Sequence, residues 1–124
     1  MKYVILIHAN PEPWGHPTAR FTAAGRDLPE ETHQELEQRF EAVMEEISAS
    51  GEFVSAEALG DPSNATVYNW SAAGYVSTDG PYAEAKEQLA GLFVIDCASR
   101  QRAEEIAARF AQPGDTVELR PTMD

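Results

Sequence analysis

Apolar and polar positions repeat along this chain with two different periods, and the switches between them predict its elements. Lys2 to His8 is a short apolar run with β-branched and aromatic members, closed by Asn10-Pro11-Glu12-Pro13, which predicts a strand buried on both faces. Residues 9 to 26 are rich in proline and glycine and show no apolar period, so they predict a loop long enough to be functional. Asp27-Leu28-Pro29-Glu30 reads as a capping box with proline in the first turn. Leu36, Phe40, Val43, Met44 and Ile47 then form one stripe of a helix that Gly51 ends. Phe53 to Leu59 predicts a second strand and Gly60-Asp61-Pro62 a turn. Ala65 to Trp70 with Gly74 to Ser77 predicts a hairpin about Ser71-Ala72-Ala73. Residues 83 to 88 have room for one helical turn, and Leu89 to Asp96 reads as a central strand. Ser99 caps a second helix with the stripe Ala103, Ile106, Ala107 and Phe110; Pro113-Gly114-Asp115 stops it, and Thr116 to Arg120 is the last strand.

The order β, α, β, hairpin, β, α, β predicts an α+β domain spanning residues 1–124: a ferredoxin-like split βαβ antiparallel sheet with an inserted β-hairpin. Both helices of such a fold cover the same face of the sheet. Alternation sets Val4, Leu6 and His8 against Tyr3, Ile5 and Ile7, and Leu92, Val94 and Asp96 against Phe93, Ile95 and Cys97. Two apolar faces with helices for only one predict a homodimer packed sheet against sheet.

Charge narrows the partners. Nine basic and twenty-one acidic residues give a formal net charge of -12, which favours solubility and repels phosphate backbones and anionic lipid, so neither nucleic acid nor a membrane is expected as a partner. The single cysteine, Cys97, forms no intramolecular disulfide and sits in an apolar run, where it is expected to pack as a small hydrophobe. The N-terminal apolar run is too short for a signal sequence and no segment approaches the ~20 apolar residues of a membrane span, so the expected location is cytoplasmic.

No P-loop, GxGxxG, HExxH, paired CxxC or GxSxG occurs in the chain, and no cofactor is expected. What remains is a set of ionisable residues in unusual places. His8 ends an apolar strand, where an imidazole serves either as an acid-base group or as a paired histidine at the rim of the core. His16 lies in the proline-rich loop and His33 in the first helical turn on a polar face; their separation argues against a metal site. Glu57 interrupts the strand-like FVSAEAL, where it either faces solvent or holds a raised pKa near apolar neighbours. Asp79, before Gly80-Pro81, fixes its own turn or serves a site; Glu84, Lys86 and Glu87 read as a solvated polar segment.

As a string, TDGPYAEAKEQLAGLFVID resembles the signature of the YCII-related family in its DGPF branch, whose members carry D-G-P-F-A-E-x-K-E before an apolar strand. MKYVILIH, GEFVSAEAL and TVELRP are similar to the family's first, second and closing strands. The matching positions are Glu57, Asp79, Gly80, Pro81, Tyr82, Glu84, Lys86 and Glu87. The departures are Tyr82 in place of phenylalanine and the long loop 9–26, which carries Trp14 and His16. The resemblance implies a dimeric α+β barrel. It supplies no His–Asp dyad that aligns here and no settled reaction, although genes of this branch often neighbour extracytoplasmic-function sigma factors.

Two functional expectations follow. In the first, a small organic molecule binds in a sheet-side cleft, with isomerase- or lyase-type acid-base chemistry by His8, Glu57 and Asp79, and with Trp14, Tyr82, Glu84 and Lys86 contacting the ligand. In the second, the chain is a non-catalytic regulatory module associated with an extracytoplasmic-function sigma factor.

Overall fold

The computed structural model of the protein describes residues 1–83 and 86–123. Six strands and two helices follow in the order β1 (Lys2–Ala9), α1 (Glu30–Ser50), β2 (Phe53–Ala58), β3 (Thr66–Ser71), β4 (Gly74–Asp79), β5 (Gln88–Asp96), α2 (Arg100–Ala108) and β6 (Thr116–Pro121). The main sheet has the order β2-β5-β1-β6 with every neighbouring pair antiparallel, and β3 and β4 form a separate ribbon. The architecture is α+β and ferredoxin-like, with the hairpin inserted between the second and third strands of the main sheet.

Alternation along the strands decides which side chains meet the helices. Tyr3, Ile5, Ile7 and Ile95 are buried with Cys97, and they pack with Val43 and Ile47 of α1 and with Ala103, Ile106, Ala107 and Phe110 of α2 or its end. These residues carry the hydrophobic drive of the fold, at roughly 25 cal/mol per Å² of apolar surface removed from water. The opposite face carries Val4, Leu6, Leu92 and Val94, all partly exposed, because no element among the described residues covers it. Cross-strand rows on that face read Ser55–Val94–Val4–Arg120 and Glu57–Leu92–Leu6–Glu118.

Two local expectations change. Helix α1 starts at Glu30 after Pro29, and no side chain caps it; the Asp27 capping box is not made. Proline at this position has no N–H to orphan, so a side-chain acceptor has one donor fewer to satisfy. His33 is buried rather than on a polar face, because it stands seven residues before Phe40 and therefore on the same apolar stripe. The helical turn expected over 83 to 88 lies partly outside the described residues; residues 83, 86 and 87 are bends, and β5 begins at Gln88. Gly51 closes α1 at φ 83° and the Ser99 side chain accepts from the Arg102 N–H at 3.1 Å, as expected, whereas α2 ends at Ala108, short of Phe110 and of the Pro113 stop.

Arg102 ties α2 to both ends of the α1–β2 connection. Its guanidinium donates to Glu52 at 2.9 Å through Nε and to Glu46 at 2.8 Å through Nη2, and Arg109 also reaches Glu46 at 2.8 Å. Hydrogen bonding from Arg102 holds the Glu52 carboxyl down to about 2, from an ordinary 4.5, against the opposing effect of desolvation. A depressed folded-state pKa adds stability that is complete above the unfolded value and disappears as the pH falls through the folded one. Acid is therefore expected to lower the melting temperature between pH 4.5 and about 2, and Arg102→Met to flatten that part of the profile while costing about 1 kcal/mol at neutral pH. Thermal unfolding across this range checks it; parallel profiles for the two proteins would refute the assignment.

Candidate functional site

Small residues on two neighbouring strands make room beside α1. Ala56 and Ala58 on β2 and Ala90 and Gly91 on β5 replace the large side chains that fill the rest of the helix-facing side, and they border a cavity of about 700 Å³. Gly91 also brings the strands close, since a Cβ there would stand 3.1 Å from the Glu57 carbonyl oxygen. The end wall is aromatic. Phe93 and Phe110 lie 4.5 Å apart between ring centroids, with Phe40 from α1 edge-on to both at 5.9 and 5.8 Å.

The rim is polar and comes from four segments. Helix α1 supplies Glu37 and Glu41, one turn apart; loop 9–26 supplies His16, Pro17 and Thr18; the turn after α2 supplies Gln112 and Asp115; and the β2 edge supplies Glu57. No lysine or arginine borders the cavity. Arg20 neutralises Glu37 from outside it at 2.7 Å, whereas Glu41 has no ion-pair partner among the described residues.

Asp115 is the most perturbed acid of the site. Burial pushes its carboxyl above the usual aspartate range and Glu87 adds to the rise, while a hydrogen bond from Thr18 and the charge of His16 pull it back. The Thr18 hydroxyl, itself buried, donates to Asp115 Oδ1 at 2.6 Å. Such a carboxyl takes and releases a proton closer to neutrality than a free one.

His16 is oriented by the end of β2. Its Nε2 lies 2.9 Å from the Leu59 carbonyl oxygen, an acceptor only, so Nε2 carries the hydrogen and the neutral ring keeps its lone pair on Nδ1. Trp14 Nε1 donates to the same carbonyl at 3.0 Å, and its ring meets His16 edge-on at 6.2 Å. Two donors on one carbonyl pin the proline-rich loop across the mouth of the cavity.

The residues singled out from the sequence do not converge. His8 stands on the open face, with Nε2 3.2 Å from Glu118 Oε1 in a cluster that Arg120 completes. Glu57 borders the cavity, but its register partner is Leu92 on the open face, and the residue is exposed. Asp79 pairs with Thr66 at the base of the ribbon and borders neither described cavity. Tyr82 is exposed and Trp14 serves the rim, while Lys86 borders a second, smaller cavity of about 400 Å³ that shares Asp115. Glu84 lies outside the described residues. Sequence reasoning passed over Asp115 as a helix stop and His16 as an isolated loop histidine; the one signal pointing to them was the length of loop 9–26.

The opening of the DGP string has a structural basis. The Gly80 N–H donates to the Ala65 carbonyl at 2.6 Å, and a Cβ on Gly80 would stand 2.6 Å from the Ala65 Cβ, so only glycine closes the ribbon at this point.

The fold and the cavity define a ferredoxin-like α+β protein with an aromatic-walled, acid-rimmed pocket on the helical side of its sheet. The YCII-related domain model matches residues 1–123, and the chain belongs to that family. It is also similar to an uncharacterized protein of Rhizobium meliloti (strain 1021), 35 % identical over 91 residues that cover 65 % of this chain and 73 % of the relative. No helix among the described residues is long and apolar enough to cross a membrane.

Proposed function

We propose that this protein is a cytoplasmic homodimer of the DGPF branch that binds a small organic molecule with an apolar body in the helix-side cavity and moves a proton on it. The observation that carries the reading is the meeting of an aromatic wall with a half-buried, pKa-raised Asp115 and a tautomer-fixed His16 at the mouth of one cavity. His16 Nδ1 is suited to accept a proton and Asp115 to exchange one, the division of roles that isomerases and lyases require. The branch assignment rests on the string Asp79-Gly80-Pro81-Tyr82 continuing into Lys86-Glu87, and the dimer on the uncovered apolar face of the sheet.

The rim favours a neutral or cationic ligand over an anion, because Glu41 and Asp115 face it with no lysine or arginine among the lining and His16 as the one titratable base. Titration with benzylammonium and with phenylacetate, followed by calorimetry and by Trp14 emission in a Trp70→Phe background, tests both site and sign. The cation is expected to bind and the carboxylate to bind more weakly. Asp115→Asn should weaken the cation about tenfold and raise the melting temperature at neutral pH, since the carboxylate that burial disfavours is gone. Filling the cavity by Ala56→Phe should abolish binding without unfolding the chain. Binding of neither probe, or equal binding by the Ala56→Phe variant, would remove the pocket as the site. A complex with an extracytoplasmic-function sigma factor on gel filtration, with no small-molecule binding, would favour the regulatory reading instead.

A further inference from the structure

Residues 62 to 78 contain no charged side chain, in a chain that is 24 % charged overall. They include the whole of β3 and nearly all of β4. Residues 59–65 join β2 to β3 and residues 80–87 join β4 to β5, and among the described residues the ribbon shares no ladder with the main sheet, so it stands as an arm on the paired strands β2 and β5. Six residues of strand make it about 20 Å long.

One face of the arm is aromatic. The register Tyr68↔Ser77 and Trp70↔Tyr75 places Tyr68, Trp70 and Tyr75 on the same side, with Tyr68 and Tyr75 edge-on at 5.8 Å. They are 64, 83 and 74 % exposed. A two-stranded ribbon is marginal in water unless its apolar face is covered, and three neighbouring aromatics are far more than scattered surface hydrophobes. Nothing among the described residues covers them.

We propose that this arm docks its Tyr68–Trp70–Tyr75 face on a second copy of the chain, each arm reaching the other's body across the two-fold axis. The charge argues for a self-partner. Two copies at a net charge of -12 repel over most of their surfaces, and contact is least opposed where charge is absent: the arm and the apolar block of the open sheet face. A basic protein would be drawn to the acidic surface rather than to the neutral arm, and anionic lipid is repelled. The inference takes its partner from the homodimer proposed above and adds a contact outside the sheet face.

Trp70 reports the contact in a Trp14→Phe background, where it is the sole tryptophan. Emission and acrylamide quenching are followed by dilution alongside sedimentation velocity. The dimer is expected to shield Trp70 and shift its emission to the blue, and dilution to reverse both. Replacing Tyr68, Trp70 and Tyr75 together by threonine, which keeps strand propensity, should weaken the dimer about tenfold or more while circular dichroism stays that of the folded chain. A dimer in which Trp70 quenches as freely as in the monomer, or a threonine variant that dimerises as tightly as the parent, overturns the proposal. So does a monomer whose Trp70 shifts only on phosphatidylcholine vesicles. Leu92→Arg separates the two contacts. Loss of the dimer in that variant, with Trp70 unshielded in the parent dimer, leaves the sheet-face contact standing and removes the arm; persistence of a Trp70-shielded dimer does the reverse.

Discussion

Leu92→Arg is expected to leave the fold intact and turn the protein into a monomer. Leu92 sits in the centre of the open face, between Glu57 on β2 and Leu6 on β1, with Val94 and Val4 in the next row. In a single chain that face meets water, so an arginine there keeps its hydration and costs the monomer little. In a sheet-to-sheet dimer the two-fold axis buries two such guanidinium groups in an apolar contact. Glu57 beside it offers a partner, but taking the pair out of water and fitting the longer side chain into the contact costs about 3 kcal/mol, more than a hundredfold in dissociation constant. Sedimentation velocity with near-unchanged circular dichroism is the expected result. A variant that sediments like the parent would mean that the open face is not where two copies meet.

The second large effect is on stability. Gly114→Ala is expected to cost about 3 kcal/mol, or about 10 °C in melting temperature for a domain of this size. Gly114 has φ +88°, a conformation that L side chains rarely adopt, and a Cβ there would overlap the Thr22 hydroxyl and Cβ. Thr22 cannot yield easily, because it is buried and its hydroxyl donates to the Pro113 carbonyl at 3.0 Å. The substitution therefore pushes loop 9–26 away from the turn that carries Asp115, and the Thr18–Asp115 hydrogen bond lies in the same seam. Thermal unfolding measures the first consequence. Binding of the cationic probe measures the second, and is expected to weaken together with stability. An unchanged melting temperature would show that the loop and the turn are not packed as described.

The elements of the fold were legible because each rests on a local period. The stripe Ala103, Ile106, Ala107 and Phe110 is buried as its spacing requires, and the Tyr3, Ile5, Ile7 alternation picks out the helix-facing side of β1. The termini were legible where a residue type has one local solution, as with Gly51 and Ser99. Asp27 was misread as the opening of a capping box with Pro29 in the first turn, because the choice between side-chain and backbone entry to a helix depends on how the preceding loop arrives. The uncovered face was also legible, since counting helices against apolar strand faces needs no coordinates.

The site was not legible to the same degree. His8, Glu57 and Asp79 drew attention because each is polar at an unexpected place within its own segment, and a segment says nothing about which others come near it. The cavity depends on what is missing from two strands, Ala56 and Ala58 beside Ala90 and Gly91, and small residues read as ordinary strand members until β2 and β5 are known to be neighbours. Sequence alone thus determined the α+β class, the β1 and β5 faces and the net charge of -12, because periodicity and composition are properties of single segments or of the sum. Only the tertiary structure decided that His16 and Asp115, 99 positions apart, share one rim, because their meeting depends on β1 and β6 being adjacent in the sheet and on loop 9–26 folding back to the Leu59 carbonyl.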